Sequence, residues 1–138
     1  MTSVRTPTPK IQAVVLDTGP LGEVTKRRGH SAGADACRKW LEGLLRAGIK
    51  VYVPEIADYE LRRELLRTKK TDSVRRLDTL KARARYLSIT EAIMLKAADL
   101  WATARNRGFW TADPKALDGD VILAASVLSL GFAPRRVI

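Results

Sequence analysis

One cysteine and one histidine are all that the 138 residues offer to soft metal chemistry. A lone Cys37 rules out a disulfide within the chain, and with His30 as the sole imidazole it argues against a thiolate–imidazole metal site. Long apolar runs are missing too. No stretch approaches the ~20 residues a membrane helix needs, so no membrane partner is expected. Met1 to Lys10 carries Arg5 and Lys10 without the apolar centre of a signal peptide. Its Thr, Ser and Pro residues predict a disordered lead over residues 1–10, and the cytoplasm is the simplest location. Aromatic residues make up 6%, with no aromatic-rich sheet signature of the kind single-strand binders use to stack bases.

Acidic charge is the last shortage. Fifteen Asp and Glu face 25 Lys and Arg, a net charge of +10. The excess is concentrated between Leu61 and Tyr86, where ten basic residues meet three acids. A solvated helical face usually mixes the signs, so this excess points to a polyanionic partner, with general solubility as the plainer alternative. The remaining composition, 46% hydrophobic and 29% charged, is that of a globular domain long enough to bury a sizeable core.

Apolar runs alternate with helical patterns. Ile11 to Leu16 reads as a buried strand, and Ala34 to Ala47 as a helix closed by Gly48. Ile49 to Val53 is a β-rich run before Pro54. A helix from Glu55 to about Thr68 and another from Asp72 or Ser73 to about Arg85 follow. Tyr86 to Ile89 predicts a brief strand, and Ser88 or Thr90 a cap for the helix that runs to about Arg107. Thr111 to Leu117, with Pro114, reads as a loop. Asp118 or Gly119 then opens a last helix over Val121 to Leu130, and Arg136 to Ile138 starts a final strand. Strands separated by helices predict a parallel α/β sheet.

Three acidic positions fall where such a sheet places chemistry. Asp17 ends the first strand, and ligands gather at the carboxyl ends of parallel strands. It also precedes Thr18-Gly19-Pro20, where an Asp could merely cap the next turn, but the strand-end location favours a functional role. Glu60 and Glu64 share a helix face beside Arg62 and Arg63, which by spacing alone is an ordinary salt-bridged surface. Glu60 differs in lying within the first turns after the Val51–Val53 strand. Asp118 and Asp120 are expected in the first turn of the last helix, where one carboxylate satisfies free N–H groups. Two exceed that need and repel each other, so Asp118 is the better cap and Asp120 the better ligand. Glu91 and Asp99 read as a capping partner and a surface charge, and His30 as an exposed loop residue.

The ordered set resembles a known family. Leu16-Asp17-Thr18 after a strand, Glu60-Leu61-Arg62-Arg63-Glu64-Leu65 on a helix, and Leu117-Asp118-Gly119-Asp120-Val121-Ile122-Leu123-Ala124-Ala125 are similar to the three acidic motifs of PIN domains. Among these the chain looks most like the VapC-type toxins of bacterial toxin–antitoxin pairs, over about residues 11–138. The resemblance implies a PIN-like three-layer α/β/α fold with a short central parallel sheet flanked by helices. It implies a Mg²⁺- or Mn²⁺-dependent ribonuclease, with Asp17, Glu60 and Asp120 as the catalytic acids. Those three and Asp118 would hold the metal, and Thr18 matches a hydroxyl beside it. A cognate antitoxin covering the acidic pocket and a homodimer are further implications. The family pattern continues through another strand bearing a fourth acidic or polar group, so Arg135-Arg136-Val137-Ile138 is expected to leave the PIN-like domain truncated at its C-terminal strand.

Chemistry supports the same assignment. Hard divalent cations choose carboxylate oxygens. An activated water makes a protein general base unnecessary. Arg62, Arg63, Arg67, Lys69 and Lys70 are the candidates for gripping the RNA backbone. The alternative is a catalytically weak PIN-like module that binds RNA or a protein partner. A phosphotransfer enzyme built on Asp17 is weaker still, because such enzymes want a second aspartate where Gly19 stands.

Overall fold

The computed structural model describes residues 11–108 and 114–131. The proposed N-terminal lead and the final strand at Arg136–Ile138 lie outside them. Among the described residues three short parallel strands form the sheet: β1 (Ala13–Val15), β2 (Lys50–Pro54) and β3 (Arg85–Leu87), in the order β1-β2-β3. Val14 pairs with Val51 in one ladder, and Val53 with Tyr86 in the other. The Leu16 N–H donates to the Tyr52 carbonyl at 3.0 Å, which carries the first ladder to the residue before Asp17. β2 is therefore central, and its carboxyl end lies beside that of β1.

Six helices among the described residues surround the sheet in an α/β/α arrangement: α1 (Thr18–Val24), α2 (Ala32–Arg46), α3 (Glu55–Arg67), α4 (Thr71–Arg83), α5 (Glu91–Asn106) and α6 (Pro114–Leu128). The forecast three-layer fold with a short parallel sheet is what the structure has. α3 leaves the end of β2 without a loop, with Pro54 as its N-cap. α1 packs on α2 and α3, α3 on α4 and α6, and α5 on α6.

Two expectations are corrected. The Thr18-Gly19-Pro20 turn is the first turn of α1, and the Pro114 loop is the first residue of α6. A proline in the first helical turn loses nothing, since the N–H it lacks has no partner there anyway. Asp118 consequently lies inside α6 instead of capping it. At the start of α5, Thr90 is the cap, accepting from the Ile93 N–H at 3.2 Å.

Apolar burial is divided. The larger core joins the sheet to α1–α4 through Leu16, Leu21, Leu41, Val51, Val53 and Leu77. A smaller one, Ile93, Ala97, Leu117, Val121 and Ala125, is shared by α5 and α6. The turn between α3 and α4 carries Lys69 at φ 58, the one non-glycine residue with positive φ among those described. A side chain in that region costs on the order of 1 kcal/mol. Lys69→Gly is therefore expected to raise stability by up to about 1 kcal/mol, seen in urea unfolding, despite its larger unfolded-state entropy. An unchanged or lower midpoint would show that the turn is not strained.

Candidate functional site

Asp17 caps α1: the Thr18 N–H donates to its Oδ1 at 2.7 Å. The capping role and the strand-end position thus belong to the same residue. Its neighbour Thr18 reaches across to α3, its hydroxyl donating to Glu60 Oε1 at 3.3 Å. From the other side α6 approaches. A Cβ added to Gly119 would stand 3.1 Å from Glu60 Oε2, so the bare glycine backbone makes room for this carboxylate. Glu60 therefore sits between the start of α1 and the early turns of α6.

Helix geometry then arranges the other acids. Neighbours along a helix are turned by about 100°, so Asp118 and Asp120 diverge on either side of the Gly119 that faces Glu60. Both are exposed, while Asp17 and Glu60 are half-buried. Thr18, Glu60 and Gly119 are thus in direct reach of one another, with Asp17, Asp118 and Asp120 each one residue from that contact. Among the described residues no three His, Cys, Asp or Glu side chains already close around a common point.

The charge pattern separates these acids from the rest. The ion pairs among the described residues join Glu23 to Lys26, Asp35 to Arg38, Glu42 to Arg83, Glu64 to Arg67, Asp72 to Arg75 and Asp99 to Lys96. Asp58 and Asp78 are paired as well. None uses Asp17, Glu60, Asp118 or Asp120, in a chain with 25 basic residues. The i,i+4 partners of the sequence reading differ here: Glu64 belongs to a salt-bridged surface, whereas Glu60 meets a hydroxyl and a glycine. Unpaired carboxylates and a hydroxyl form an all-oxygen donor set, which suits a hard divalent cation. Cys37 packs against the larger core and His30 is exposed on a loop, so neither enters it.

Much of the basic surplus has internal work. Arg62 bridges Asp58 and Asp78, Arg67 pairs with Glu64, and Arg76 donates to the Thr25 carbonyl at 2.5 Å. Arg63 lies over the Tyr59 ring at 5.1 Å. Lys69 and Lys70 are exposed at the α3–α4 turn and form no ion pair among the described residues.

Asp58, two residues before Glu60, was missed by the sequence reading. Its side chain is 7% exposed and accepts from Lys81 Nζ at 2.8 Å, the Tyr86 hydroxyl at 2.9 Å and Arg62 Nε at 3.1 Å. Burial opposes its ionisation, but the bonds from Lys81 and Tyr86 with the Arg62 charge prevail and hold its carboxyl below the usual range. Burial and the same carboxylate push the Tyr86 hydroxyl above the usual phenol range. The signal in the sequence is the Asp58–Arg62 spacing of four, which puts the two on one face of α3.

Comparison with known proteins places this arrangement. A solved structure of VapBC2 from Rickettsia felis, bound to a DNA fragment from their promoter, contains a chain of the same fold: TM-score 0.66 at 16% identity, over 86% of this chain and 82% of that one. At that identity the likeness is one of fold. No curated protein matches the sequence significantly. The family model described as PIN domain matches residues 14–133, a span that takes in all three acidic segments. The chain is a member of the PIN domain family.

Proposed function

We propose that this protein is a metal-dependent ribonuclease of the VapC toxin type, hydrolysing RNA phosphodiester bonds with Mg²⁺ or Mn²⁺ at the acidic site. The observation that carries the reading is Glu60, which meets the Thr18 hydroxyl and Gly119 and, like Asp17, Asp118 and Asp120, joins no ion pair among the described residues. Left without a cation, like charges at one site repel each other and an incoming phosphate. When bound, a divalent cation supplies positive charge to the scissile phosphate and makes an attacking water more acidic. Asp17, Glu60 and Asp120 are the ligands, with Asp118 at the margin. Thr18 orients Glu60 through its hydroxyl. Lys69, Lys70 and Arg63 bind RNA phosphates outside the pocket, with Arg62 and Arg67 on the same helix; phosphate contacts of this kind position a nucleic acid without reading its sequence. Partners of the reading are RNA, an antitoxin that covers the acidic pocket, in keeping with the fold shared with VapBC2, and a second copy in a homodimer. The cytoplasm is the corresponding location.

The test is cleavage of single-stranded RNA by the purified chain with Mg²⁺ or Mn²⁺, compared with Asp17→Asn. Loss of at least about 100-fold in rate is expected, the scale on which removing one group that stabilises transition-state charge acts. Cleavage that survives the substitution unchanged would sink the assignment.

A second reading is favoured by the divergence of Asp118 and Asp120, with no three acids gathered among the described residues. It is a catalytically weak PIN-like module for RNA or partner binding. It predicts RNA affinity that falls steeply with salt through counterion release, with no product at saturating metal.

A further inference from the structure

The buried Asp58 cluster takes no part in the proposed chemistry, yet it ties together the elements that carry Glu60. Three donors from three elements converge on one carboxylate: Arg62 of α3, Lys81 of α4 and Tyr86 of β3. Arg62 continues to Asp78 of α4 at 2.7 Å, and Lys81 stands 4.4 Å from the centre of the Tyr86 ring. At the first residue of the helix, Glu55 Oε1 accepts from the Ile89 N–H at 2.7 Å. The N-terminal half of α3 is thus fastened to α4, to β3 and to the segment that follows it.

Direction matters as much as attachment. Two residues along a helix correspond to a turn of about 200°, so Asp58 and Glu60 point to nearly opposite sides of α3. A helix held along one side by a buried, multiply bonded carboxylate cannot roll without breaking those bonds. Any roll of α3 would swing Glu60 off Thr18 and into or away from the Gly119 backbone. A Cβ added at residue 119 would stand 3.1 Å from Glu60 Oε2, so the carboxylate lies close against α6 at this glycine.

We infer that Asp58 is a positioning residue: by bonding Lys81 of α4 and Tyr86 of β3, and by holding Arg62 where it reaches Asp78 of α4, it fixes the rotation of α3 and so aims Glu60 between α1 and α6. Its effect on metal binding rests on the reading of Glu60 as a ligand; its effect on the place of Glu60 does not. The cluster acts at one remove, in the way that groups behind metal ligands orient them, where substitutions commonly cost about 10- to 100-fold in metal affinity.

The experiment uses the full chain with Mn²⁺ as the probe. Mn²⁺ affinity is measured by calorimetry, and crystal structures give the Thr18 Oγ1–Glu60 distance. Asp58→Ala is expected to open that contact beyond hydrogen-bond reach and to weaken Mn²⁺ binding by about tenfold or more. Tyr86→Phe, which removes one hydroxyl, moves both readouts in the same direction by less, and it carries the test if Asp58→Ala does not fold. Glu42→Gln breaks the exposed link to Arg83 of α4 and controls for general loosening; it should leave both readouts unchanged. Retention of the Thr18–Glu60 contact with Mn²⁺ affinity within about twofold would overturn the inference, as would an equal loss in Glu42→Gln. If Glu60→Gln binds Mn²⁺ as the parent does while Asp58→Ala still opens the contact, the ligand assignment fails and the positioning role stands.

Discussion

Replacing Gly119 by alanine is expected to stabilise the protein and to disable it. Gly119 lies within α6, where glycine is about 1 kcal/mol less favourable than alanine. On helix propensity alone, Gly119→Ala should raise the thermal midpoint by a few degrees. The new methyl, however, would stand 3.1 Å from Glu60 Oε2, closer than an ordinary van der Waals contact. The end of a glutamate side chain yields at small energetic cost, so the fold keeps its gain while the carboxylate moves by tenths of an ångström. On the proposed role of Glu60, misplacement by about 1 Å costs on the order of 100-fold, and a smaller shift should still lower RNA cleavage by about tenfold. Gly119→Val, with two further carbons, should lower it more. Paired melting curves and cleavage rates provide the check, and parallel rather than opposite changes in the two quantities would refute this use of the glycine.

Leu77→Ala is expected to do the reverse. Leu77 of α4 is fully buried in the larger core, beside the sheet and away from the acids. Truncating a buried leucine removes its transfer free energy and leaves a cavity, typically costing about 2–5 kcal/mol. The urea midpoint should fall by a corresponding amount with its slope unchanged. At a temperature where the variant remains folded, cleavage should stay within about twofold of the parent protein. A loss of stability below about 1 kcal/mol would mean that the surrounding side chains close over the gap.

The layout of the fold was readable because its signals are local. Ile11 to Leu16 and Ile49 to Val53 are apolar runs that end at a carboxylate and a proline, and they became β1 and the central β2. Gly48, Gly108 and Gly131 follow α2, α5 and α6 with positive φ, as chain-stopping glycines should. The two missed helix starts share one cause. Pro20 and Pro114 read as breakers by residue type, but a proline in the first turn is compatible with a helix, and residue type does not separate the two situations. Of the site, the acids could be picked out by position: Asp17 at a strand end, Glu60 a turn and a half beyond another. Their freedom from salt bridges could not, because Glu60 and Glu64 have equivalent basic neighbours in sequence and only the fold decides which is paired. The basic run from Leu61 to Tyr86 misled in the same way. Much of its charge is spent on Asp58, Glu64, Asp72, Asp78 and Glu42, leaving Lys69 and Lys70 as the better exposed cations.

The division of the interior into two cores has a consequence for control. Asp17 and Glu60 ride on the body built around the sheet, whereas Asp118 and Asp120 ride on the pair of helices with its own small, alanine-containing core. The two bodies meet at the site where Glu60 of α3 comes close to Gly119 of α6. A tilt of α6 against α3 would therefore change the distance between Glu60 and residue 119 without disturbing either core.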